Sequence, residues 1–302
     1  MPKGCLLQKR IKTLVVVGVG LMGGSFAMAL KQAGLVERVV GVDHAIENLH
    51  DALRLGVIDE AMQDLTEAIP GAEVVMLATP VGQMASIFQA MVPILGADTI
   101  VTDVGSTKGN VVALFRQYLS NHLSYCLPAH PIAGSELSGV LAARHDLYDQ
   151  RHVVFTPFIE TRVEVIQVLS TLWEAMGAVV QVMSVAEHDK LFAAVSHLPH
   201  LLAFIYVNKI LDKDHAQRYF DVAATGFRDF TRLAGSSPEV WRDIALANRD
   251  ALLTELNEFQ LQLDRLVQML KAEDASGIQC FLKRANQARC TWYQRFLDNH
   301  LD

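Results

Sequence analysis

"VVVGVGLMGGSFAMAL", residues 15–30, runs from a β-branched stretch into a helix-forming one through four glycines. Gly18, Gly20 and Gly23 stand at G-x-G-x-x-G spacing. In such a strand-to-helix turn the first glycine allows the tight turn and the second lets backbone approach a pyrophosphate. The third lets helix and strand pack closely. The helix N-terminus adds N–H donors and positive dipole for the phosphates. Leu21 and Met22, which open that helix, are therefore expected to join the glycines in cofactor binding.

The next strand, "RVVGVD", ends in Asp43, about 20 residues past the glycines, where an acidic side chain takes the hydroxyls of an adenosine ribose. A carboxylate there repels the 2'-phosphate of NADP, and His44 follows in place of a welcoming arginine, so NAD is the expected cofactor. NADP stays possible, because a protonated His44 can hold phosphate. Asp43 also suits the N-cap of a helix in "DHAIENLHDAL", and the two roles are compatible.

Outward from this motif the chain has two characters. Sixteen of its nineteen glycines precede residue 178. Through that part "TLVVVG", "RVVGVD", "EVVMLATP", "TIVTDVGS", "HVVFTP" and "VVQVM" alternate with helical patterns, as βαβ units around a mostly parallel sheet do. Beyond it, "AEHDKLFAAVSHLPHLLAFIYVNKIL" and the stretch from Glu239 to about Ala272 have helical spacing. The second stretch lacks Gly and Pro for over thirty residues, which predicts a helix long enough to share its face with another subunit; two helices with a break are the alternative. The expected division is a dinucleotide-binding domain over 1–184 and a helical substrate and dimerisation domain over 185–302.

The 302 residues are 51% hydrophobic and 20% charged, with net charge −7 and no Lys/Arg cluster, which gives nucleic acid no electrostatic footprint. Cys5, Cys126, Cys280 and Cys290 form no C-x-x-C pair, so neither a zinc site nor a disulfide framework is expected, and a reducing cytoplasm fits. The apolar run of residues 14–30 mimics a secretion signal, but its glycines make a poor apolar helix and it is short of the about 20 residues of a bilayer span. No membrane association is expected.

"ATPV", with Thr79 and Pro80, and "DVGSTKG", with Ser106, each end a strand at the carboxyl edge of the sheet, where open α/β folds bind ligands. Ser106 and Thr107 also suit a helix cap near Lys108. "PAHPIAGSE", residues 128–136, reads as a rigid loop holding His130 between two prolines at the same edge, where a neutral imidazole can take a proton as hydride leaves a neighbouring carbon. In "GFRDFTRLAGSSPEVW", Arg228 and Arg232 suit carboxylates, or else lie on a solvated face or pair with Asp229 and Glu136. Eleven histidines include no HExxH, and Pro199 separates His197 from His200, so no metal site is expected.

"VGVGLMGGSFAMAL", "VVGVD", "LATPV", "TDVGSTK", "PAHPIAGSE", "SHLPHLLAF" and "GFRDFTRLAGSSPEVW" together, in this order across nearly the whole chain, resemble the TyrA family of prephenate, arogenate and cyclohexadienyl dehydrogenases. The resemblance implies an α/β Rossmann-type dinucleotide-binding domain followed by an all-α dimerisation domain related to that of 6-phosphogluconate dehydrogenase. It implies NAD-dependent oxidative decarboxylation in tyrosine biosynthesis by a homodimer. His130 would be the base on the substrate's ring hydroxyl and Ser106 would orient hydroxyl and imidazole. Arg232 would bind a carboxylate, His200 would line the pocket, and Glu136 and Asp229 would form a polar network around Arg232. Prephenate is the expected substrate, with arogenate, or both, as the alternative.

Two rivals remain. A β-hydroxyacid dehydrogenase would need an asparagine four residues after its catalytic lysine, whereas Lys190 is followed there by Ala194. A non-catalytic dinucleotide sensor would have no reason to gather His130, Ser106 and Arg232. The chain leaves no stretch for a regulatory domain, so any control by tyrosine is expected as competition at the active site.

Overall fold

A computed structural model describes residues 10–134 and 137–298. In chain order its strands and helices are β1 (Ile11–Val17), α1 (Leu21–Gln32), β2 (Val36–Val42), α2 (Ile46–Arg54), β3 (Glu60–Met62), α3 (Leu65–Ala68), β4 (Val74–Leu77), α4 (Met84–Met91), β5 (Ile100–Asp103), α5 (Gly109–Tyr118), β6 (Cys126–Leu127), β7 (Ala129–Pro131), β8 (His152–Phe155), α6 (Val163–Ala175), β9 (Val179–Val182), α7 (Val185–Phe192), α8 (Leu198–Leu211), α9 (Ala216–Asp221), α10 (Thr225–Thr231), α11 (Pro238–Ala247), α12 (Arg249–Lys271) and α13 (Ala275–Asp298). They form two compact units, one ending at Arg249 and one beginning at Asp250.

In the first unit six parallel strands run in the order β3-β2-β1-β4-β5-β6. Buried on both faces, they are near-continuous apolar runs, and Leu14, Val15, Val16, Val75, Met76 and Leu77 are all fully buried. The order reverses between β1 and β4, and ligands of open α/β sheets bind at the carboxyl ends of strands at such a switch point. On one face α1 and α6 pack through Phe26 and Trp173, whose ring centroids are 4.8 Å apart. Burial of Phe26 contributes roughly 1.5–3 kcal/mol.

"PAHPIAGSE" is not simply a loop. Pro128 lies between β6 and β7, and the next three residues, His130 among them, form β7, antiparallel to β8 in a second sheet of order β7-β8-β9. Pro131 is tolerated because β7 is an edge strand, where a missing N–H breaks no ladder.

The long helix expected from Glu239 to Ala272 is two, α11 and α12, broken at Asn248, where φ is −110° and ψ 30°. Asn248 is 5% exposed, and its side-chain amide donates to the Asp189 carbonyl at 2.8 Å and meets the His197 ring at 3.1 Å. These tertiary bonds compete with helix continuation. Between α7 and α8, Ala193–His197 form a π-helical turn that admits Pro199 in the first turn of α8. By length and composition alone the 27 residues Val185–Leu211 would cross a membrane. They nevertheless carry two buried polar rings, His188 and His197, bonded within the unit.

In the second unit α12 and α13 leave Leu261, Leu270, Leu282 and Trp292 more than half exposed.

Candidate active site

Gly18 and Gly23 of the fingerprint have a steric reason to be glycine. Gly18 has φ +93°, and a Cβ there would lie 2.7 Å from the Ala78 carbonyl oxygen. At Gly23 a Cβ would lie 2.2 Å from the Gly18 carbonyl oxygen and 2.7 Å from Val16 Cγ1, so α1 could not approach β1. Beyond its own chain neighbours nothing lies within 4 Å of a Cβ at Gly20, which is the kind of open space a pyrophosphate needs above a helix N-terminus. Gly23→Ala is therefore expected to abolish measurable NAD binding in calorimetry and to lower the melting temperature, whereas Gly20→Ala should weaken binding with little loss of stability. Equal loss of stability in both would refute the distinction.

Of the remaining candidate cofactor residues, Leu21 and Met22 follow the glycine turn, Thr79 adjoins Gly18 and Asp43 bonds Val19 within the turn. Leu21 starts α1, and the Met22 carbonyl accepts from the Tyr148 hydroxyl at 2.7 Å, which fixes the first turn of the helix. Thr79 Oγ1, just past β4, is buried without a hydrogen-bond partner, and Pro80 beside it is exposed. An orphaned hydroxyl at the switch point suits a polar ligand. Asp43 lies one residue past β2 and accepts from the Val19 N–H at 3.2 Å, the Asn48 amide at 3.0 Å and the Ala45 N–H at 3.0 Å. Its carboxylate thus ties the glycine turn to Ala45, and it is Ala45, not Asp43 as the sequence suggests, that occupies the N-cap of α2, where no side chain caps the helix. The residues present fit a dinucleotide.

The second half of the site grows from β5. Asp103 ends that strand, and its carboxylate meets the ammonium of Lys108, both side chains fully buried. This pair clamps Ala129: Asp103 accepts from its N–H at 3.1 Å, and Lys108 donates to its carbonyl at 2.7 Å. Burial pushes the Lys108 ammonium below its ordinary pKa, against the pull of Asp103. The backbone of His130 is therefore held by a buried ion pair as well as by prolines.

The His130 ring, in a residue 8% exposed, packs against Phe192 with centroids 4.9 Å apart, and its Nδ1 lies 2.8 Å from His188 Nε2. Burial, helped by His188 and by the charge of Lys108, holds its pKa well below 6.5. The ring is thus a neutral acceptor at neutral pH.

Ser106 sits in the β5–α5 turn, and its backbone lies beside the buried ring of His197, which burial pushes down to about 4. Neither it nor Thr107 caps α5. Thr107 bonds the Asn110 side chain at 2.7 Å, and the first amides, those of Lys108 and Gly109, donate to Asp189 of α7 at 2.8 and 2.7 Å. A carboxylate some 80 residues later thus satisfies the helix start better than the local hydroxyls.

His200 stacks on Trp241, centroids 3.7 Å apart, with its Nδ1 2.8 Å from the Ser196 carbonyl. Burial first, and then the charge of Arg232, lowers its pKa, so Arg232 and His200 share one neighbourhood. Asp229 is exposed and pairs with Arg228 at 3.0 Å. Glu136 lies outside the described residues. Sequence reading missed His188, Asp189, Lys108 and Asn248; the adjacent His-Asp in "AEHDK" was the one local hint.

Two family models match this chain: prephenate dehydrogenase, nucleotide-binding domain, over residues 26–182, and prephenate dehydrogenase, dimerization domain, over residues 184–284. The prephenate dehydrogenase of Bacillus subtilis (strain 168) is 34% identical over 282 residues, covering 92% of this chain and 75% of that protein. The cyclohexadienyl dehydrogenase of Zymomonas mobilis is 33% identical over 281 residues, covering 92% and 95%. Among solved structures, prephenate dehydrogenase from A. aeolicus in complex with hydroxyphenyl propionate and NAD+ matches with TM-score 0.87 and 34% identity, over 93% of this chain and 98% of that one.

Proposed function

The chain belongs to the family of prephenate and cyclohexadienyl dehydrogenases, NAD-dependent oxidoreductases of tyrosine biosynthesis, and from that premise we propose that it converts prephenate to 4-hydroxyphenylpyruvate with NAD. The observation that carries this reading is the neutral, buried ring of His130 beside a carboxyl sheet edge that also bears the glycine turn. The glycine turn and Asp43 would hold NAD, which would supply an acceptor for the hydride of the ring carbon bearing the hydroxyl. His130 takes the hydroxyl proton, Ser106 orients the hydroxyl, and loss of carbon dioxide from the resulting ketone leaves a phenolate, to which the His130 imidazolium returns the proton to give the phenol. Arg232 binds a substrate carboxylate as a planar fork, and His200 lines the same pocket. Glu136 and Asp229 stay in the proposal as polar groups around it, although Asp229 pairs with Arg228 here.

Prephenate is preferred to arogenate because the hydroxyphenyl propionate in the A. aeolicus relative offers a carboxylate and no amino group. The similarity to a cyclohexadienyl dehydrogenase favours dual specificity as the second reading. NAD is preferred to NADP because the Asp43 side chain, fixed by the Val19 and Ala45 N–H groups and the Asn48 amide, stands where the 2'-phosphate of NADP would have to sit. A homodimer is supported by the exposed apolar side chains of the second unit, Leu261, Leu270, Leu282 and Trp292, which a second copy would cover. The boundary at 184/185 is supported by the family matches, which end at 182 and resume at 184. A cytoplasmic location goes with this chemistry.

Assay of the purified protein with prephenate and with arogenate against NAD and NADP tests the proposal, and no reduction of either cofactor would reject it. Arg232→Ala is expected to raise KM for prephenate by about 10- to 100-fold, the worth of a charged hydrogen bond, with turnover changed only a few-fold. A variant that loses turnover at unchanged KM would remove Arg232 from substrate binding.

A further inference from the structure

Behind His130 a chain of buried polar groups leads away from the sheet edge. His130 Nδ1 lies 2.8 Å from His188 Nε2, and His188 Nδ1 lies 2.8 Å from Asp189 Oδ1. The His188 side chain is fully buried and that of Asp189 is 15% exposed. Asp189 is itself held fast, accepting from the backbone N–H groups of Lys108 and Gly109 at 2.8 and 2.7 Å. Burial works against its charge, but the His188 ring and these two N–H groups outweigh it and keep its pKa below the ordinary carboxylate value.

Each link dictates the next. An ionised carboxylate only accepts, so His188 must carry its proton on Nδ1. The neutral imidazole then presents a lone pair at Nε2, which the Nδ1–H of His130 must meet. His130 is left with its own lone pair on Nε2, the one nitrogen His188 does not occupy. Burial lowers the pKa of His188 and favours the neutral ring this requires.

Resting on the reading of His130 as the base, we infer that His188 and Asp189 are positioning residues that act through it: Asp189 sets the tautomer of His188, and His188 sets the tautomer and tilt of His130, so that Nε2 faces the substrate hydroxyl. When Nε2 takes the hydroxyl proton, the imidazolium keeps Nδ1–H on His188, and no proton leaves the pair. The arrangement follows the logic of an orienting acid behind a catalytic histidine, with a second imidazole inserted. The charged and titratable groups acting on His130 are His188 from α7, Lys108 from the β5–α5 turn and His197 from the π-helical turn; Asp189, Lys108 and Asp103 act on His188.

Nitrogen-15 NMR of the imidazole rings tests this directly, with the His130 signals assigned by their loss in His130→Asn. The wild-type protein is expected to show His130 protonated at Nδ1 and bare at Nε2 at pH 7.5. His130 protonated at Nε2 would overturn the inference without any variant of His188. His188→Leu is expected to let His130 shift toward the Nε2–H tautomer. It should lower turnover by about 10- to 100-fold, a share of the 10²–10⁴ that a general base contributes, while KM for prephenate changes less than about 3-fold. His188→Gln returns an acceptor to the Nε2 position and is expected to restore the tautomer and most of the turnover. Unchanged turnover and tautomer in His188→Leu would reject the role, as would a Gln variant no better than Leu. If the wild-type protein oxidised neither prephenate nor arogenate, the functional proposal would fail while the tautomer measurement still judged the relay.

Discussion

His130→Asn is expected to lower the turnover number by about 10²–10⁴-fold while KM for prephenate stays within a few-fold. Asparagine keeps a polar group of similar reach and can still bond His188, but it presents no basic lone pair to the hydroxyl. Unchanged turnover would remove His130 as the base. The pH profile carries a second, signed expectation. If His130 is the base, as proposed, it works as the neutral ring, and kcat/KM is expected to fall as pH drops through its pKa. Burial, His188 and Lys108 all lower that pKa, which puts the acid limb below pH 6.5. An acid limb above that value, lost in His130→Asn, would mean that the ring is stabilised as a cation and would contradict the structure.

Lys108→Met is expected to be the most costly change to stability, about 3–5 kcal/mol, because it leaves the Asp103 carboxylate fully buried without its counter-charge. Against a total stability of about 5–15 kcal/mol that shifts the melting temperature by on the order of 10 °C. Adding Asp103→Asn should recover part of the loss, since the unpaired charge is then gone while an acceptor for the Ala129 N–H remains. Urea unfolding of the two single variants and the double variant measures this; a Lys108→Met protein within about 1 kcal/mol of wild type would contradict it. Turnover should fall as well, because the same pair clamps Ala129 and through it the backbone of His130.

Much of the architecture was legible because its causes are local. The apolar runs of β1, β2, β4 and β5 announce strands covered on both faces, and Gly18, Gly20 and Gly23 announce the turn between β1 and α1. The break at Asn248 was not legible as the preferred reading: Glu239 to Ala272 has helical spacing throughout, and what interrupts it is the 2.8 Å bond to the Asp189 carbonyl, 59 residues away. Ser106 and Thr107 looked like the cap of α5 for the same reason, since Asp189 lies 80 residues from the amide of Gly109 that it satisfies.

His130 marks where the two kinds of information part. Its flanking prolines and its position after a strand could be read from the chain, and so could its candidacy as a base. Its strand pairing with Val154, the clamp of Asp103 and Lys108 and the ring of His188 behind it could not. By itself the sequence determined the dinucleotide turn, the alternation of strands and helices and the residue types of the chemistry, because backbone sterics and hydrophobic periodicity act over a few residues. Only the tertiary structure decided which nitrogen of His130 meets His188 and which groups stay dry around it, because hydrogen-bond partners and desolvation are properties of packing between distant segments.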